Sequence, residues 1–240
     1  MVNFAGEQIK RTIRLMQRTR VKICGVMRVE DALAAARAGA DAIGMLFYER
    51  AKRCISLDRA RQIASALPPF VSPVALFCNE SPQRILDVVA ELNLRHVQLQ
   101  GEESGDEIVE LSGLRVIKAI RVKRETISGE LKHWRDRIEK LGLTNLTAFV
   151  LETADTGVPG GSGVANDWGL VKELQSRGEF DGLPAIVAAG GLTPETVGQV
   201  VREIQPWAVD VSSGVEVEFG EKSEAKIRAF IDAVARASFP

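Results

Sequence analysis

The chain has 240 residues, with 31 Lys and Arg against 32 Asp and Glu, a net charge of −1 and 5% aromatic residues, so it carries neither the basic footprint nor the stacking platform of a nucleic-acid partner. No apolar run approaches the roughly 20 residues that span a bilayer, and three cysteines without CxxC spacing, behind no hydrophobic leader, point to the cytoplasm rather than to secretion. At this length one core can bury roughly 70–75% of the surface the unfolded chain exposes, so a single domain needs no disulfide or metal to hold it.

In chain order, residues 1–20 are predicted as a basic extension ahead of a domain spanning 21–240. Lys10, Arg11, Arg14, Arg18 and Arg20 face only Glu7 there, and Ile9, Ile13 and Met16 share one helical face, the pattern of an amphipathic helix plugging one end of the domain. An Arg-rich, acid-poor transit peptide is the alternative, against which the absence of serine speaks. From there, short apolar and β-branched runs alternate with amphipathic helical stretches. Strands are predicted at 21–25, 41–47, 73–78, 96–100, 116–122, 148–152, 185–189 and 208–212. They lack polar alternation, as strands covered on both faces do. Ser81-Pro82 and Thr193-Pro194 each offer a hydroxyl at N-cap and a proline at the first helical position, predicting helices over 83–92 and 195–204. The segment 123–147 reads as a long surface helix, and the glycine-rich stretch 157–163, after the sixth strand, as a loop on the active face. Eight such units in one series predict a (β/α)8 barrel of a single domain with a short N-terminal helical extension; a doubly wound open sheet shares the local pattern and is the structural alternative.

Barrel enzymes place their chemistry at the C-terminal ends of strands. That rule selects Cys24 at strand one, Arg53 after strand two, Asn79 after strand three, Gln98 and Gln100 at strand four, Glu152 at strand six, and Asp210 and Ser212 at strand eight. A buried cysteine can equally act as a small hydrophobe, which is the reading for Cys54 and Cys78, and polar groups inside a barrel can form a structural network. Cys24 differs because VKICG brings its thiol to a strand end beside Gly25. Strand seven runs into Ala189-Gly190-Gly191-Leu192-Thr193-Pro194, where paired glycines and a helix start suit an anion, and strand eight into Ser212-Ser213-Gly214. Loops after strands seven and eight are the frequent phosphate site of barrels, so a small phosphorylated molecule is the predicted ligand. Neither GxxxxGK[ST] nor GxGxxG occurs, and His96 and His133 form no metal-ligand set, so no cofactor and no metal are predicted.

At these residues the chain resembles the phosphoribosylanthranilate isomerase family. The matching segments are KICG (Lys22 to Gly25) with Arg28, Glu30 and Asp31 following, DAIGMLFY with Arg53 downstream, FCNES, VQLQG, GGSG before Asp167-Trp168, AGGLTPE, and DVSSGVE with a later Gly220. The resemblance implies a cofactor-free Amadori rearrangement of N-(5'-phosphoribosyl)anthranilate in tryptophan biosynthesis. It assigns Cys24 as base, the strand-six carboxyl as acid, Arg53 to the anthranilate carboxylate and Asp210 to the reacting sugar. Gln98 and Gln100 would bind substrate, and Gly190, Gly191, Ser212, Ser213 and Gly214 the phosphate. A free thiol has a pKa of about 8.5, so the Cys24 thiolate needs to be favoured, by the iminium cation itself or by a nearby donor. Asp210, between Val209 and Val211, would cost several kcal/mol if buried ionised and alone, so a partner is expected. Two positions depart from the family pattern. Glu152 in Val150-Leu151-Glu152 stands where the family has Asp, leaving Asp155 as a second candidate acid, and Gln100 replaces a histidine and cannot titrate. A weakened barrel that binds its ligand without turnover, or a related sugar-phosphate isomerase, are the alternatives; monomer and homodimer both remain open.

Overall fold

Eight parallel strands close on themselves in sequence order, β1 pairing with β8. They are β1 (Arg20–Ile23), β2 (Ala42–Leu46), β3 (Ser72–Phe77), β4 (His96–Leu99), β5 (Arg115–Val122), β6 (Leu146–Thr153), β7 (Ala185–Ala188) and β8 (Ala208–Val211). The architecture comes from a computed structural model that describes residues 18–153 and 166–238. Closure decides for the (β/α)8 barrel over the open sheet. Around it lie α1 (Val29–Ala38), α2 (Leu57–Ala66), α3 (Pro82–Glu91), α4 (Gly105–Glu110), α5 (Ile127–Leu141), α6 (Trp168–Ser176), α7 (Val197–Ile204) and α8 (Glu224–Ser238). No described helix is long and apolar enough to cross a membrane.

The strands are apolar on both faces for two different reasons. In β2 and β3, Ile43, Met45, Ala75 and Phe77 pack outward with the helices, whereas Leu46, Val74 and Leu76 form a separate cluster with Cys24 and Cys78. A matching inner cluster gathers Ala148, Val150, Val187 and Ala208. Because successive side chains alternate sides, these inner positions fix the inward face of the strands they lie on, and the Leu76–Gln98 register carries it to β4. Extended by two residues, that face takes in Lys22, Cys24, Gln98, Gln100, Glu152 and Asp210. The mouth of the barrel is thus polar while its lower layers are aliphatic.

Helix starts follow local chemistry. Ser81 caps α3 through its Oγ, which accepts from the Arg84 N–H at 3.3 Å, with Pro82 at the first helical position. The expected start at Thr193-Pro194 is displaced. Thr193 N–H donates to Thr196 Oγ1 at 3.0 Å, closing a turn over 194–196, and α7 begins only at Val197. The long helix expected within 123–147 is α5, of 15 residues, which buries Ile127, Leu131 and Trp134. A short antiparallel pair, β9 (Glu216–Glu218) and β10 (Glu221–Lys222), follows β8 and was not anticipated. The expected N-terminal helix, Asp155 and the glycine-rich stretch 157–163 lie outside the described residues. At the described edge of that extension, Arg18 pairs with Asp41, and Arg20 already belongs to β1.

Candidate active site

β1 and β8 are neighbours in register, Lys22 opposite Asp210. Both side chains face inward, and Lys22 Nζ donates to Asp210 Oδ2 at 2.7 Å with side-chain exposures of 7% and 5%. This is the partner that the sequence demanded for Asp210. Burial works against the Lys22 ammonium, but Asp210 and Cys24 together hold it charged above its ordinary range. Asp210 Oδ1 is buried without a partner among the described residues. Two residues beyond Lys22, Cys24 reaches the mouth on the same face. Burial pushes its thiol up, the Lys22 ammonium pulls it down, and Asp210 pushes it up again, with a net upward shift. Room for the sulfur is provided by Gly44 on β2, where a Cβ would sit 2.9 Å from Cys24 Sγ.

Glu152 lies across the mouth at the end of β6. Gln100 Nε2 donates to Glu152 Oε1 at 3.0 Å, and Gln98 Nε2 donates to Gln100 Oε1 at 2.7 Å. These amides form a one-directional chain, because Gln100 accepts from Gln98 through its carbonyl and donates its own N–H to Glu152. Gln98 is fully buried and its own Oε1 has no partner among the described residues. Burial raises the Glu152 carboxyl above the ordinary carboxylate range; the Gln100 bond opposes this and the Asp210 charge adds to it. Gln98 and Gln100, read as substrate ligands, are therefore first of all the support of Glu152. Asn166 reinforces the same corner, donating to the carbonyls of Leu151 at 3.2 Å and Ala189 at 3.3 Å.

Arg53 is neither free nor in a surface ion pair. Its Nε and Nη2 donate to Glu216 Oε1 and Oε2 at 2.8 and 2.7 Å, and the guanidinium lies 4.6 Å from the Phe219 ring centroid. Burial would raise the Glu216 carboxyl, but Arg53 and Lys222 hold it below the usual range. A bidentate pair occupies one edge of the guanidinium and leaves the Nη1/Nη2 edge of the fork to a second carboxylate. Gly25, at φ +67°, makes the approach possible, since a Cβ there would stand 2.5 Å from Arg53 Cδ and 2.9 Å from Ser212 Oγ.

The two loops expected to hold phosphate are in contact. A Cβ on Gly214 would run into the carbonyl oxygen of Leu192, so only glycine lets the β8 loop lie on the β7 loop. Gly190 and Gly191 both take positive φ, 95° and 62°. The N–H groups of Gly191, Ser213 and Gly214 make no hydrogen bond to another described backbone group. Such a cluster of N–H donors on closely apposed loops has the chemistry to accept an anion. The helix dipole expected after Thr193 sits one turn further along.

Sequence reasoning missed Glu216, Lys222 and Asn166. Glu216 closes the DVSSGVE segment with no local signal of a role, and its tie to Arg53 spans 163 residues. Lys222 carried no signal beyond its charge.

A family model described as N-(5'phosphoribosyl)anthranilate (PRA) isomerase matches residues 21–233. An N-(5'-phosphoribosyl)anthranilate isomerase of Pseudomonas aeruginosa (strain LESB58) is 43% identical over 222 residues, 91% of this chain and 96% of that protein. The crystal structure of phosphoribosyl anthranilate isomerase from Thermotoga maritima has a TM-score of 0.78 at 37% identity, covering 90% of this chain and 98% of that one. A crystal structure of such an isomerase in complex with reduced 1-(o-carboxyphenylamino)-1-deoxyribulose 5-phosphate gives 0.75 at 37%, with the same coverage. With a matched family over nearly all of the barrel and relatives well above 30% identity, the chain belongs to the PRA isomerase family.

Proposed function

We propose that Cys24 and Glu152 are the base and the acid with which this chain converts N-(5'-phosphoribosyl)anthranilate to 1-(2-carboxyphenylamino)-1-deoxyribulose 5-phosphate. The observation that carries the reading is that one buried pair, Lys22 and Asp210, acts on both groups from the floor of the mouth. The ligand named for the related crystal structure supports the substrate class.

Glu152, whose carboxyl burial raises above its ordinary range, gives its proton to the furanose ring oxygen. The C1'–O bond breaks and the anilino nitrogen lone pair closes a C1'=N iminium. The Cys24 thiolate then takes the C2' proton, and the electron pair of that C–H bond forms C1'=C2' while the iminium pair returns to nitrogen. The resulting enol tautomerises to the C2' ketone, gaining a proton at C1'. The iminium charge beside Sγ lowers the thiol further than Lys22 does alone. Arg53 receives the anthranilate carboxylate on its open edge, and Asp210 Oδ1 accepts from a sugar hydroxyl. Gly190, Gly191, Ser212, Ser213 and Gly214 take the phosphate.

The free thiols of Cys24, Cys54 and Cys78 support a cytoplasmic setting. Incubation of the purified protein with the substrate, followed by loss of its fluorescence, tests the reading. Turnover that collapses in Cys24→Ala and Glu152→Gln is expected; a rate equal in wild type and Cys24→Ala refutes it. Binding without turnover in the wild type would leave a barrel that only holds the ligand.

A further inference from the structure

Lys222, on β10, has a side chain with 0% exposure. Its ammonium donates to Glu216 Oε1 at 2.8 Å, to the Ser212 carbonyl at 3.0 Å and to Ser212 Oγ at 3.3 Å. These acceptors belong to two different parts of the site. Glu216 holds the Nε and Nη2 edge of Arg53, and Ser212 opens the β8 loop. A continuous series of direct bonds thus runs from Ser212 through Lys222 and Glu216 to Arg53.

An enclosed ammonium is costly, and an apolar residue of similar volume is often as stable or more so in such a place. Other anchors already hold the hairpin. The Lys222 backbone N–H donates to Asp31 Oδ2 at 3.3 Å, and Arg28 pairs with both Asp31, at 3.2 Å, and Glu221, at 2.6 Å. Removing the ammonium therefore leaves the hairpin attached to α1 and Glu216 on Arg53 while breaking the link between Glu216 and Ser212.

We propose that Lys222 is a positioning residue that ties the carboxylate-holding Arg53 to the phosphate-holding Ser212 loop, fixing the separation of the two anionic ends of the substrate. The inference rests on the isomerase reading and deepens it, assigning to one buried cation the alignment of both ends.

The test compares wild type, Lys222→Met and Glu216→Gln in turnover, with anthranilate and inorganic phosphate titrated separately as inhibitors and as calorimetric ligands. A supporting residue that shifts both ends by a fraction of an ångström costs about tenfold at each. Lys222→Met is expected to raise KM and weaken both fragments by that factor, with kcat changed far less. Glu216→Gln is expected to weaken anthranilate and leave phosphate within twofold. The proposal is overturned if folded Lys222→Met binds both fragments within twofold of wild type, or loses anthranilate alone. Should Lys222→Met not fold, Lys222→Gln keeps N–H donors without the charge, and the same split of fragments decides. A wild type that binds both fragments but turns over no substrate refutes the isomerase reading and leaves the Lys222 comparison intact.

Discussion

Replacing Lys22 by methionine tests the floor of the site. The Lys22 and Asp210 charges are 2.7 Å apart with exposures of 7% and 5%, so the substitution leaves a carboxylate buried with no cation beside it. Breaking such a pair from one side costs about 3–5 kcal/mol. In a chain of this size each kcal/mol moves the melting midpoint by roughly 2–4 °C, so Lys22→Met should melt about 6–20 °C below wild type. Adding Asp210→Asn removes the stranded charge, and the double variant should recover more than half of the loss. Turnover should not recover with it, because Cys24 has lost the ammonium that draws its thiol down and the sugar has lost its carboxylate. Calorimetric melts beside the fluorescence assay separate the two effects. A single variant within about 1 kcal/mol of wild type, or a double variant that regains turnover, would refute the argument.

Glu152→Gln should abolish turnover and yet stabilise the fold at neutral pH. The folded carboxyl is raised above its ordinary 4.5, so the wild type loses stability as pH rises through the folded value; the gain from glutamine should vanish as pH falls toward 4.5, which melts across pH will check. Gly44→Ala would place a Cβ 2.9 Å from Cys24 Sγ, and a displaced sulfur should lower kcat by up to about 10²-fold with the phosphate affinity unchanged. Equal kcat in the two proteins would show that the sulfur has slack.

Strand positions were legible because a strand covered on both faces is written as an unbroken apolar run, and all eight runs fall within two residues of the observed strands. The same continuity hides which face is which. Lys22 and Cys24 could be assigned to the barrel interior only once Leu46, Val74 and Leu76 were seen clustered with Cys24. The α7 start was misread for a local reason, since Thr196 Oγ1 accepts the N–H that a cap at Thr193 would leave to solvent. What the sequence could not display is pairing at distance. Asp210 asked for a partner, but nothing near it in the chain names Lys22, 188 residues away. The Arg53 clamp likewise depends on a hairpin only seven residues long, whose strands are too short to leave a periodic signal.

The pH profile of kcat/KM follows from how burial treats the two reacting groups. On the proposed mechanism the active form carries one proton, on Glu152 and not on Cys24, and a form with a single proton shared between two groups gives a bell whose limbs belong to the coupled pair. The acid limb follows the lower of the two titrations, the Glu152 carboxyl, and the alkaline limb the Cys24 thiol. Burial raises the carboxyl above 4.5 and the thiol above 9.0, so both limbs should stand on the alkaline side of their ordinary positions. Gln100→Leu removes the bond that draws the carboxyl down, and should move the acid limb further up while leaving the alkaline limb in place. Lys22→Met removes the ammonium that draws the thiol down, and should raise the alkaline limb and lower the plateau, because less of the singly protonated protein then has its proton on Glu152. An acid limb unmoved in Gln100→Leu, or an alkaline limb that falls in Lys22→Met, would mean that the titrating groups are not these two.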